Sequence, residues 1–436
     1  MTETLTNRLS RSAIPSGDEP AWAREQRERA FEQFEALPIP SQDTEEWRYT
    51  DLSELDLGSF APFAEGAVAE NLDGVPEPLL ASAGPIGERS GLLIQHNSVT
   101  TTAHLDPAVD AGVHFESLDA ALRDHPELVE PYLHTLVPTE RSKFTAMHGA
   151  FRTGGTFVLV PRGVTVEAPL QALTYLDADG TAVFPHTLIV VEEDAELTFI
   201  DRYASPDLTR ALSSAVVEIH AGRGSRVRYV SLQDWGAGMT HLGVQRARVG
   251  QEATMRTLAV AFGADLARAE AESVLAEPGG YSEMLGLYFA TGNQHYDHRS
   301  LQDHVAPNCD SDLLYKGALK GASRAIYSGW VTVRPNAQKT NAFQTNRNIV
   351  LSDRAKADSI PNLEIEANDV RCGHAASTGP VDEDTLFYLQ TRGLTPEAAE
   401  HLIVTGFFQE VIDKVSLPEV AAGLTEAVET ELARTE

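Results

Sequence analysis

The sequence predicts a mainly β protein, a parallel β-helix core with helical regions before and after it. Three observations predict this. From about Gly154 the chain carries short β-branched and aromatic runs separated by Gly, Pro and Asp. From Ala195 a turn-then-strand unit recurs at roughly 28 to 30 residues. The flanks on either side instead carry apolar residues at helical spacing. The expected regions are 1–150, mainly helical, 151–380, the β-helix core, and 381–436, helical.

Residues 21–37 read as the first helix, with Ala23, Ala30, Phe34 and Leu37 on one face and charges between them. Pro38 and Pro40 end it. A second helical stretch is expected over 118–136, broken by Pro126 and Pro131. Residues 156–160, 187–191 and 196–200 then read as strands.

The repeat units begin at Ala195, Ser225, Ala253, Tyr281, Asp310 and Gln338. Most follow a turn such as Arg223-Gly224, Gly279-Gly280 or Pro335-Asn336. Their letters differ, so the repeat is structural. A sandwich of evenly spaced hairpins is the competing architecture, but units in unbroken succession favour a solenoid whose rungs bury one another.

After Gly379-Pro380 helical signals return. Asp382, Glu383 and Asp384 suit a helix start, and Arg392 and Gly393 suit its end. Thr395-Pro396 supplies an N-cap and a first-turn proline. Leu402, Ile403, Gly406, Phe407 and Val411 are expected to form one apolar face, and a last helix follows Pro418. Such helices are expected to cover the solenoid's open end.

The composition excludes several classes. A net charge of −30 repels phosphate backbones, so nucleic-acid binding is not expected. An acidic surface of this kind suits solubility in a salt-rich setting or a basic partner. Two cysteines, Cys309 and Cys372, are too few for a disulfide framework or an all-cysteine cluster. The first residues carry no secretory apolar run, and no stretch approaches the roughly 18 apolar residues of a membrane helix. A cytoplasmic protein with reduced thiols is the expectation. No Walker motif is present, so the chain is not expected to hydrolyse ATP.

The block from Asn346 to His374, ending Arg371-Cys372-Gly373-His374, resembles the C-terminal signature of the SufB/SufD family. The block from Asp382 to Gly393 resembles the family's next one, and Ala337 to Gln344 fits its Ala-Gln-x-Thr-x-x-x-Gln pattern. Glu46-Trp47-Arg48-Tyr49-Thr50 is similar to an element of the SufD branch. SufB-type chains carry a Cys six residues before the position of Pro361, where this chain has Ala355. They also read Glu-His-Glu where this chain reads Gly373-His374-Ala375. Both differences resemble the SufD branch, although Cys-Gly-His-Ala-Ala-Ser replaces that branch's usual Cys-Ser-His-Gly-Ala-Thr.

The resemblance implies a right-handed β-helix in a non-catalytic scaffold for iron–sulfur cluster assembly. It implies pairing with a SufB-like paralogue through the β-helix ends. The 381–436 helices would dock a SufC-like ABC ATPase, and a homodimer is expected when the chain is isolated.

Cys372 and His374 are two apart, which on a strand puts both on one face, with Gly373 opposite. Imidazole and thiolate both ligate iron. One strand thus offers at most two ligands, enough to help build a transient cluster or hold iron shared with a partner chain. His374 is expected to be the essential ligand and Cys372 auxiliary. Against this, a free Cys is commonly a small buried hydrophobe, and a lone His a hydrogen-bonded turn residue.

The run His295-Tyr296-Asp297-His298 invites a metal reading, but on a strand His298 faces away from the other two, so it is expected to be structural. Cys309 is expected to be a spectator, and Trp47 and Tyr49 to pack the N-terminal region on the core. Lys339 and Arg347 are expected to relieve local repulsion. Three other readings stay open: a SufB-like chain holding a cluster alone, a β-helix enzyme acting on polysaccharide, and an iron donor or reductase.

Overall fold

Strands buried on both faces read as continuous apolar runs, and strands with one wet face alternate. Both patterns occur here. The computed structural model of the chain describes residues 8–84, 88–109 and 112–433. Its centre is a parallel β-solenoid of about eight turns made of two ten-stranded sheets. Alternate residues from both sheets meet between them, with Val217 and Ile219 from one and Leu197, Phe199, Val227 and Tyr229 from the other. Rungs stack in register over long stretches, as where Tyr281–Ala290 pairs residue by residue with Asp310–Leu319. Gly224 and Gly279 hold φ of 64° and 78°, the left-handed conformation that explains glycine in these turns.

The outer walls carry the helices. Ala23 of the Ala21–Ala36 helix, with Leu118, Leu122, Val129 and Leu133, covers Phe157, Leu159, Leu188 and Val190. Val404, Phe408, Val411, Leu424 and Val428 cover Val230, Leu258, Leu285 and Leu314 on the other sheet. The strands His186–Val191 and Thr156–Val160 are therefore buried throughout, which is why they read as unbroken apolar runs.

The two ends differ. At the N-terminal end the sheets finish in antiparallel strands, the hairpin Gly91–His96 with Val99–Leu105 and the strand His114–Ser117. These strands fall within 1–150, beside its helices. At the C-terminal end Lys356–Ile365 and Arg371–Pro380 are the last strands of their sheets.

Three expectations need correction. The C-terminal helices Pro396–Ile412 and Pro418–Ala433 lie on the solenoid's flank and do not cap its open end, because their apolar stripes match the outer wall. The buried stripe of Pro396–Ile412 is Val404, Phe408, Val411 and Ile412, while Leu402 is exposed and Gly406 faces solvent. The sixth repeat strand starts at Asn341 because residues 338–340 complete the turn, with Lys339 at φ 61°.

Candidate functional site at the open end of the solenoid

Register decides where Cys372 and His374 point. On the penultimate strand, Asn341–Val350, the residues Ala342, Gln344, Asn346 and Asn348 are buried in the lumen, while Phe343 is 47% exposed on the outside. The last strand pairs parallel to it, with Cys372 beside Ala342 and His374 beside Gln344. Both therefore belong to the lumen-facing column. Among the described residues no further rung covers them, and His374 is exposed and Cys372 half-buried.

The lumen changes character as it nears this end. In the rung before, the same column carries Leu313 and Tyr315. At the penultimate rung it carries three carboxamides. Tyr288 donates to Asn348 Oδ1 at 2.5 Å, and Asn348 Nδ2 donates to Asn346 Oδ1 at 2.9 Å and to Thr378 Oγ1 at 3.3 Å. Gln344 is buried, and both polar atoms of its side chain lack a hydrogen-bond partner among the described residues. Polar groups at the last covered rung suit an end that meets water, a partner or a charged cargo.

Cys372 packs with Leu363 and Val370 at the edge of an apolar cluster, and burial raises its thiol above the ordinary value. It rests as a thiol and must lose a proton to bind iron. His374, on the same strand, is the more exposed of the two side chains. Ala355 lies buried at the turn into Lys356–Ile365 and offers no ligand atom.

The other sequence candidates separate cleanly. Thr50 bridges His295 Nε2 at 3.1 Å and Asp297 Oδ2 at 2.8 Å, while His298 packs inside against Tyr288 in a tilted pair with ring centroids 4.5 Å apart. Arg268 pairs with Asp297 at 2.5 Å, donates to Glu46 O at 3.0 Å, and sits over the Trp47 ring at 3.9 Å. Residues 46–50 are thus a clasp that fixes the N-terminal segment to the solenoid wall. Cys309 is buried, its Sγ 3.4 Å from Glu277 O, and burial raises its thiol too. Arg347 pairs with Glu410 at 3.2 Å, tying the last rungs to the flanking helix. Lys316 joins it, donating to Phe407 O at 2.7 Å.

Two groups escaped sequence reasoning. His134, His186 and Glu218 converge in the interior, and His114, Glu116 and His125 converge near the surface. Their members lie far apart in the chain or across a turn, so no spacing pattern announces them. The Glu383–Thr391 helix buries none of its residues, and Phe387, Tyr388 and Leu402 around it are exposed. Among the described residues no helix is long and apolar enough to cross a membrane.

Residues 174–407 match the family described as SUF system FeS cluster assembly, SufBD core domain, and residues 89–172 match the SufBD protein N-terminal region. An iron–sulfur cluster assembly SufBD family protein of Mycobacterium tuberculosis is 37% identical over 308 residues, 69% of this chain and 76% of that protein. The iron–sulfur cluster assembly protein SufD of Bacillus subtilis is 29% identical over 420 residues, 94% of each chain. A SufBD family protein of Staphylococcus saprophyticus is 28% identical over 416 residues, 93% of this chain and 88% of the other. With a core match over more than half its length and relatives of this coverage, the chain belongs to the SufBD family of SUF-system iron–sulfur cluster assembly proteins.

Proposed function

We propose that the chain is a non-catalytic scaffold of the SufD branch that lends half a site to a nascent cluster at an interface with a SufB-like paralogue. The observation that carries this reading is the open terminal rung, where His374 and Cys372 share the lumen face and no described residue forms a further rung above them. Two ligands on one strand can help assemble a cluster but are too few to retain it, so the remaining ligands come from the partner. The cluster is cargo. Ala355 supports this assignment over a chain that holds a cluster by itself.

The C-terminal helices are the docking surface for an ABC ATPase. Phe387 at 69% and Tyr388 at 56% exposure leave an apolar face that a partner would cover. Nucleotide-driven movement of that ATPase would reach the terminal rung through the pairs of Glu410 with Lys316 and Arg347.

Tagged chain expressed with a SufB-like subunit and its ATPase tests the reading. Recovery of all three in one complex is expected. Recovery of the tagged chain alone, or a stable cluster on the isolated chain after reconstitution with iron and sulfide, would contradict it.

A further inference from the structure

The Lys143–Phe151 helix lies against the outer wall of the solenoid, and four side chains meet in the seam. His148 comes from the helix, His186 and Glu218 from wall strands, and His134 from the link that precedes the helix. All four are buried, three of them completely.

Their hydrogen bonds fix which ring nitrogens carry protons. His148 Nδ1 lies 2.8 Å from Ser214 O, so it donates there and leaves its Nε2 as an acceptor. His186 Nδ1 then donates to that Nε2 at 3.0 Å. His134 Nδ1 donates to Val137 O at 3.3 Å. With both rings neutral, the remaining nitrogen of His134 and of His186 is Nε2, carrying a lone pair.

These lone pairs converge on an acceptor. His186 Nε2 lies 3.1 Å from Glu218 Oε2, and His134 Nε2 has no hydrogen-bond partner among the described residues. One ligand atom from each of His134, His186 and Glu218 lies within 4.8 Å of the other two. Glu218 meanwhile accepts backbone N–H bonds from His134 and Leu136, each at 2.6 Å, and from Val137 at 2.9 Å. Three buried lone-pair atoms facing one another repel unless something positive sits among them.

We propose that His134 Nε2, His186 Nε2 and Glu218 Oε2 form a structural binding site for a divalent first-row transition ion of the zinc or ferrous class. Two imidazoles and one carboxylate are an ordinary donor set for such ions. The 3.1 Å separation of His186 and Glu218 is close to the ~3.3 Å between ligand atoms in a tetrahedral site. Second-layer bonds from His148 and Val137 orient both rings, as metal-bound imidazoles require. The buried guanidinium of Arg152 opposes a further cation, and Glu19 and Asp119 offset its charge. An ion here would pin the 133–139 link to the wall strands, at a place separate from the terminal rung.

Metal analysis of the full chain, unfolded in chelator and refolded with Zn²⁺ or, without oxygen, Fe²⁺, tests the proposal. We expect about one ion per chain and a melting temperature raised by ~5 °C over the refolded metal-free chain. The ion should be lost in H134L, which keeps the buried packing, and retained in H114A/H125A, which removes the surface cluster. A wild-type chain that refolds with metal but binds less than about 0.1 ion and melts unchanged would overturn it, leaving a shared proton between His186 and Glu218. Loss of the ion in H114A/H125A but not in H134L would overturn it equally.

Discussion

Gln344 and His374 stand side by side in one lumen-facing column on adjacent strands, yet Gln344 is 1% exposed and His374 is open to solvent. The boundary between the covered lumen and the open terminal rung falls between these two residues. Gln344 carries a cost there, because neither polar atom of its side chain has a partner among the described residues. Gln344→Leu, which extends the Leu313 pattern by one rung, should stabilise the isolated chain by ~1 kcal/mol in denaturant titration. A loss of stability would mean that the carboxamide is satisfied in solution.

The same open end should govern self-association. Trp330 and Phe343 project outward near it at 43% and 47% exposure. Sedimentation of W330D/F343D should show weaker dimers than wild type, with a melting temperature nearly unchanged, because surface substitutions of this kind stay within about 0.5 kcal/mol. Equal association would place the self-contact elsewhere.

Cys372 should react slowly at neutral pH. Burial raises its thiol, so the thiolate fraction is small and grows as pH rises. Alkylation of Cys372, followed by peptide mass, should accelerate steadily from about pH 7 to about pH 10. A fast, pH-independent rate would show an activated thiolate and would promote Cys372 above an auxiliary role.

The N-terminal clasp should weaken in acid. Burial alone would raise the Asp297 carboxyl, but Arg268 and Arg299 outweigh it and hold the group below its ordinary 3.8. The folded value is thus lower than the unfolded one. Its contribution is fully present above about pH 5 and is lost as pH falls through 3.8 and below. Asp297→Asn should flatten that acid limb in pH-dependent unfolding. Asp297→Ala at neutral pH should cost about 2 kcal/mol, because it removes one of the two carboxylates paired with buried Arg268 and leaves Glu270 as the other.

The sequence carried the solenoid plainly because the rungs repeat a strand and a turn marked in most cases by Gly or Asn, and Gly224 and Gly279 are legible without knowledge of their neighbours. It carried Cys372 and His374 as a same-face pair because strand periodicity is local. It could not say that the C-terminal helices lie on the flank. Pro396–Ile412 has apolar residues on more than one side, so the expected face takes in Leu402 and leaves out Val404, and only the outer-wall residues Leu285 and Leu314 decide for Val404. The meeting of His134, His186 and Glu218 depends on how the Lys143–Phe151 helix seats against two wall strands, a tertiary event with no trace in spacing.

Cluster formation by the intact complex carrying His374→Ala tests the central claim most directly. His374 is exposed, so the variant chain should fold and assemble with the same subunits as wild type. The half-site account predicts that cluster yield on iron and sulfide supply, read from visible absorbance, falls at least ~10-fold, while Cys372→Ala falls less. Unchanged cluster yield in the assembled His374→Ala complex would contradict it.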